Sequence, residues 1–303
     1  MESLQWQRRP TLHNPVLIAA FEGWNDAGDG ASAAVAYLAR RWGAEGFATI
    51  DAEEFFDFTV TRPQVRMEAG ERLIDWPENE FSAAVLGTTG RDVIFLRGVE
   101  PQMRWRTFAQ LVVEVATTAG VELVVTVGAL LAEVPHTRPV RVTGTAADGA
   151  LATRLNLRPS RYEGPTGIIG VLGEALARAG IPSASLWASV PAYVGQTPSP
   201  KATLALVTSV TELLGVSVPT VDLDVAAAAY ERQVSEVVAA DEDASAYVRS
   251  LEEVEDSGGS LDDDDDEDDD DVDDGEPLAP LEPLGGDVLA AEVERFLRDQ
   301  GGL

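Results

Sequence analysis

The 303-residue chain contains no cysteine. Disulfide cross-links and thiolate chemistry are therefore excluded, and the composition agrees with a reducing compartment. Histidine occurs twice, at His13 and His136, and lysine once, at Lys201. No second histidine stands at helical spacing from His136 to share a metal. The longest uncharged run, residues 179–200, carries four prolines and cannot form a bilayer-spanning helix. The first fifteen residues lack the charged-then-apolar pattern of a signal peptide, so a cytoplasmic protein is expected. Basic residues number 22 against 52 acidic ones, and no basic stripe exists to replace counterions on a nucleic acid. There is no G-x-x-x-x-G-K-[ST] phosphate loop and no G-x-S-x-G elbow. A calcium loop fails at residues 22–30, because no ligands continue past Gly30. No cofactor, metal, nucleic acid or membrane partner is expected.

What is present is unevenly spread. From Asp241 onward there are 25 acidic and 3 basic residues, net −22, leaving −8 for the first 240. The body is a mildly acidic globule with a very acidic tail. Residues 262–271 are ten consecutive carboxylates inside a Gly- and Pro-bearing stretch, 256–286, which reads as a disordered linker. Residues 287–303 return to a helical pattern with Leu289, Val293, Phe296 and Leu297 on one face.

In the body, apolar segments of strand length alternate with amphipathic helices. Strands are expected at 16–21, 47–50, 93–96, 121–127, 140–143 and 183–190. Helices are expected at 31–42, 108–119, 148–155 and 201–214, with another opening at Gly164-Pro165 and running to 179. Residues 65–76 read as a hairpin about Ala69-Gly70. Glycines at 164, 167, 170 and 173 suggest a helix pressed closely on a neighbour. The apolar run 121–127 suits an interior strand covered on both faces. The expected fold is α/β: a three-layer α/β/α sandwich with a mostly parallel sheet over residues 1–220. Residues 221–255 read as one long amphipathic helix, interrupted on its apolar face only by Asp241.

Chemistry-bearing residues gather at loops following strands, where open α/β sheets meet their ligands. Glu22, Trp24, Asp26 and Asp29 stand between a strand and a helix, where carboxylates either cap the helix or serve as acid and base. Glu133, His136 and Arg138 stand between Pro135 and Pro139. They are either a runner-up catalytic set, with His136 as acid or base and Glu133 orienting it, or a structural loop. The structural version has Glu133 paired with Arg138 and His136 bonded to backbone. Arg158, Arg161, Tyr162 and Glu163 precede a helix N-terminus that could receive an anion.

Four blocks taken in order carry a resemblance. They are F-E-G-W-N-D-A-G-D at 21–29, E-V-P-H-T-R-P at 133–139, Y-E-G-P-T-G-I at 162–168 and S-L-W-A-S-V-P-A-Y-V at 185–194. In this spacing the chain resembles the proteasome assembly chaperone two family, in its bacterial branch, over roughly residues 12–215. The resemblance implies an α/β/α fold akin to nucleoside phosphorylases and peptidyl-tRNA hydrolases, and a chaperone or scaffolding role without catalysis. Relatives that dock on proteasome rings carry a C-terminal hydrophobic-tyrosine-any tripeptide. Gly302 stands in that tyrosine's place here, so docking by that route is not expected.

The reading is thus a non-enzymatic protein-binding, assembly-chaperone-like module. Its binding residues are Glu22, Trp24, Asp26, Glu133, His136, Arg138, Arg161, Tyr162 and Glu163. A protein partner, in the first instance proteasome-related, and a homo-oligomer with a trimer favoured are expected. The alternative is an enzyme acting on a small anionic or nucleoside-like substrate in a phosphorylase-like cleft.

Overall fold

The computed structural model describes residues 3–258 apart from 69, 88, 89, 147 and 161. The acidic linker, the terminal helix and Arg161 lie outside the described residues. One mixed sheet of nine strands runs in the order β1-β3-β6-β7-β2-β8-β11-β9-β10. Its middle is parallel: β7 (Val93–Val99), β2 (Val16–Glu22), β8 (Leu123–Ala132) and β11 (Ser183–Pro191). Both flanks turn antiparallel. On one side lie β6 (Asn79–Ala84), β3 (Glu45–Ile50) and β1 (Leu4–Trp6). On the other, β9 (Val142–Ala146) runs against β11 and carries the two-residue β10 (Arg158–Pro159).

Because successive strand side chains alternate between faces, β2 feeds two cores. Val16, Ile18 and Ala20 pack under α1 (Gly30–Arg41), α3 (Gly149–Leu155) and α5 (Pro200–Leu214). Leu17, Ala19 and Phe21 pack under α2 (Trp105–Ala119) and α4 (Ile168–Arg178). The first core is rich in alanine and valine. The second holds Phe21, Phe55 and Phe108 in edge-to-face pairs at 5.6–5.8 Å between centroids. Each such ring, fully buried, contributes roughly 1.5–3 kcal/mol by transfer alone. Gly128 in β8 is required by this packing: a Cβ there would come within 2.5 Å of the Trp187 ring on β11.

The interior-strand reading of 121–127 holds, and the strand continues to Ala132 in register with β11. The 65–76 hairpin forms as a separate two-stranded ribbon, β4 (Gln64–Glu68) and β5 (Glu71–Asp75). Two expectations need correction. First, α4 begins at Ile168, with Gly167 extended at its N-cap, so Pro165 is not in the helix. A Cβ on Gly173 would meet nothing within 4 Å, and one on Gly170 would meet only Thr166, so these glycines permit no close packing. Second, residues 221–255 form two helices, α6 (Val221–Ala239) and α7 (Glu242–Asp256). The Asp241 carboxylate accepts from the Ala244 N–H and caps α7, which ends the continuous helix there. These two helices close a third, smaller core with Tyr193 and Val194, just past the end of β11.

Candidate functional site

The carboxyl ends of β2, β7, β8 and β11 lie side by side, and the loops leaving them divide into two groups. The first is centred on Glu100, which follows β7. Its Oε1 accepts from Asn25 Nδ2 at 2.9 Å and from the Ile168 N–H at 2.8 Å. Its own N–H donates to the Glu22 carbonyl at 2.9 Å. One carboxylate thus ties the 22–30 loop to the start of α4, where the helix dipole favours it. Gly167 makes the approach possible, since a Cβ there would meet Glu100 Oε1 at 2.8 Å and the Asn25 amide at 2.9 Å.

Asp26, nearly buried, accepts from the Ala31 and Ser32 N–H groups at 2.7 and 3.1 Å, capping α1. Burial raises its carboxyl above the usual range, against those hydrogen bonds. Glu22 is likewise raised, first by desolvation and then by Asp26 and Asp29 nearby. Asn25 Oδ1 and Asp26 Oδ2 are buried acceptors with no donor among the described residues. Above this frame, Trp24 is 71% and Tyr162 69% exposed. The Tyr162 hydroxyl donates to the Pro165 carbonyl at 2.8 Å, and Glu163 faces solvent. The first block and the Gly167–Ile168 end of the third are therefore tied together through Glu100.

The second group is the 133–139 loop, whose polar partners are Tyr193 just past β11, Lys201 in α5 and side chains of α6 and α7. His136 is 2% exposed. Its N–H donates to the Tyr193 hydroxyl at 2.7 Å, and its ring nitrogens lie 2.8 Å from that hydroxyl and 3.0 Å from Ser235 Oγ. Ser235 spends its own proton on the Glu231 carbonyl, so Nε2 carries the imidazole proton and Nδ1 accepts from Tyr193. Desolvation, reinforced by the Lys201 ammonium, lowers the imidazole to about 4, so the ring is neutral. Arg138 grips Asp256 through Nε and Nη2 at 2.8 and 2.7 Å and reaches Glu252 at 3.1 Å. Arg141 pairs with Glu255, and Lys201 with Glu231. Glu133 accepts from the Tyr247 hydroxyl.

The expected Glu133–Arg138 pair is thus replaced by bonds from each residue to α7. The cavity beside His136 and Tyr230 holds about 10 Å³, about the room one water needs. A catalytic histidine would need access to a substrate, and this one is sealed under helices. Among the described residues no group of three or more His, Asp or Glu is arranged to hold a metal ion, and no helix is long and apolar enough to cross a membrane.

Asn25, Glu100, Tyr193 and Ser235 are missing from the sequence-derived set. Only Asn25 and Tyr193 lie inside the motif blocks, so proximity in sequence could have flagged them. Glu100 is an isolated acid between Val99 and Pro101 and carries no signal. Lys201, the single lysine of the sequence, donates to the carbonyls of His136 and Arg138 and fastens that loop to α5.

A parallel-centred α/β/α sandwich with a protein-like rim of aromatics and carboxylates, and helices packed over its second loop, defines the class. The PAC2 family model matches residues 20–238, and the chain belongs to the PAC2 family. A PAC2 family protein from Streptomyces avermitilis is 49% identical, covering 77% of this chain and 99% of that one with a TM-score of 0.73. The Mycobacterium tuberculosis proteasome-assembly chaperone homologue Rv2125 is 47% identical over the same shares, TM-score 0.70. PbaB of Pyrococcus furiosus, an archaeal proteasome activator, shares the fold at 20% identity, covering 77% of this chain and 97% of that one, TM-score 0.64. No curated protein matches.

Proposed function

We propose that this chain is a non-enzymatic, assembly-chaperone-like module that binds a protein partner at the rim formed by residues 22–30 and 162–168. The observation that carries the reading is the pairing of exposed Trp24 and Tyr162 with a rigid frame beneath them. Large apolar rings left in water on an ordered loop favour a contact surface, and aromatic residues dominate binding hot spots. Glu22, Asp29 and Glu163 around them favour a partner segment bearing arginine or lysine, which can sit against a ring face and a carboxylate together. Membership of the PAC2 family and the likeness to a proteasome-assembly chaperone homologue support a proteasome-related partner, and the same reading takes the chain to be a cytoplasmic homo-oligomer. Glu133, His136 and Arg138 serve this role indirectly, by holding α6 and α7 in place.

The test is co-assembly with purified proteasome α and β subunits of the source organism, followed on native gels and by sedimentation. The chain is expected to associate with a subunit or an assembly intermediate. The double variant Trp24→Ala/Tyr162→Ala should lose that association while melting normally. Association unaffected by the double variant would move the surface elsewhere, and no association with any subunit would remove the proteasome-related reading.

A further inference from the structure

At the β9–β10 edge of the sheet, an open groove of about 480 Å³ lies between β9, the α3–β10 turn and α5. That is within the ~300–1,000 Å³ range of sites that hold apolar ligands or side chains. Leu157, Leu186 and Leu213 form its apolar floor, continuous with the first core. Arg141 and Arg158 line it, with Glu212 on the α5 side. Nothing among the described residues fills it.

Where the chain goes next bears directly on this groove. Arg141 is held at 3.1 Å by Glu255, in the last turn of α7. The described residues therefore end, at Gly258, close to the groove mouth. Beyond lie ten consecutive carboxylates at 262–271, then the amphipathic stretch with Leu289, Val293, Phe296 and Leu297 at helical spacing. The 31 residue steps from Gly258 to Leu289 span up to ~100 Å extended, and ~30 Å root-mean-square for a flexible chain. Reach is no obstacle, and tethering supplies a high effective concentration.

The geometry points to residues 287–298 of this same chain as the occupant of the groove. An apolar helix face laid into a hydrophobic groove is a common recognition mode. Leu289, Val293, Phe296 and Leu297 meet the leucine floor. The carboxylate run passes the guanidiniums of Arg141 and Arg158, while Arg295 and Arg298, on the helix face opposite the apolar one, stay on the outer side. Two independent features agree: the apolar face matches the floor, and the acidic connection matches the basic lining.

The natural lack of cysteine makes the test direct. Ser209, which lines the groove on α5, and Ala290 are both replaced in the full chain, as Ser209→Cys/Ala290→Cys, and disulfide formation is followed at micromolar dilution. The expected result is an intramolecular cross-link that slows about ten-fold when Val293→Asp and Phe296→Asp are added, since the tether then acts without the contact. Equal rates with and without the aspartates would overturn the proposal. So would cross-links formed mainly between chains with a rate rising with concentration, which would assign the groove to a second copy. A check without cysteines uses Val293→Asp/Phe296→Asp in the natural sequence. Amide resonances of Leu157, Leu186 and Leu213 should shift, and unchanged resonances would count equally against it.

Discussion

The two loop groups at the carboxyl end of the sheet look alike in sequence and behave oppositely in the folded chain. Both follow a buried parallel strand, and both mix carboxylates with one distinctive ring, Trp24 in the first and His136 in the second. The first leaves its ring in water and buries one carboxylate, Asp26, whose protonation is made easier. The second buries its ring in neutral form and spreads its cations over α6 and α7. Every ion pair between that region and the helices runs from a body cation (Arg138, Arg141 or Lys201) to a helix anion (Glu231, Glu252, Glu255 or Asp256). A histidine between prolines suggests catalysis. Here it is a buried keystone of its loop, and the proposed contact surface falls on the exposed tryptophan instead.

The contrast is sharpest under acid. The His136 imidazole titrates near 6.5 when unfolded and about 4 when folded, so the unfolded chain binds the proton more readily between those values. Its contribution is complete above pH 6.5 and is lost as pH falls through about 4, a change of about 3 kcal/mol. Glu22 and Asp26 have raised folded values and act in the reverse sense, contributing below the ordinary carboxyl range and losing that contribution as pH rises through their folded values. Urea unfolding of the natural chain and of His136→Gln at pH 7 and pH 4.5 subtracts the carboxyl part. The natural chain should lose much more stability than the variant. Equal losses would mean that the imidazole is not sealed.

Next in size is Tyr193→Phe. The hydroxyl accepts from the His136 N–H and donates to Nδ1, and all these groups are buried. Removing it strands a donor and an acceptor, at a cost of about 1–3 kcal/mol. Thermal unfolding should register that loss without a change in association at the aromatic rim. A near-neutral result would show that the Tyr193–His136 contact is dispensable.

The same contrast explains what could be read from the chain beforehand. Strands β2 and β8 were legible because continuous or alternating β-branched residues have few other uses than a covered sheet. Strand β6 was not legible: Asn79–Ala84 reads N-E-F-S-A-A, and its buried Asn79 donates to the Val99 carbonyl, a bond that no local pattern announces. The break between α6 and α7 was readable in principle, since Asp241 followed by Glu242 and Asp243 is a helix-start signal. The apolar stripe running through it won the reading instead. Of the site, the capping role of Asp26 followed from its place before α1. The partners of Glu133 and Arg138 did not, because they sit more than 100 residues later, on helices whose polar faces look like ordinary solvated surface.

A smaller effect is expected from Arg138→Ala. The guanidinium is partly exposed and Asp256 mostly so, so these bonds are substantially screened and global unfolding should change little. Their consequence is local. Hydrogen exchange of α7 amides should quicken several-fold relative to those of α5, and added salt should produce a similar loosening in the natural chain. Unchanged exchange in α7 would mean that its apolar contacts with Tyr193 and Val194 alone hold it.

The smallest effect on the fold belongs to the first loop, and it is the most informative for function. Trp24→Ala and Tyr162→Ala remove rings that are mostly in water, so each should change stability by no more than about 0.5 kcal/mol. Glu100→Gln is the control beneath them. It keeps an oxygen for the Ile168 N–H but loses the charge that the α4 dipole favours, a loss of roughly 0.3–1 kcal/mol. If the exposed rings are contact residues, their removal abolishes partner binding at nearly constant melting temperature, whereas Glu100→Gln weakens both together. If either ring variant melts as low as Tyr193→Phe, that ring is structural, and the distinction drawn between the two loops fails on its open side.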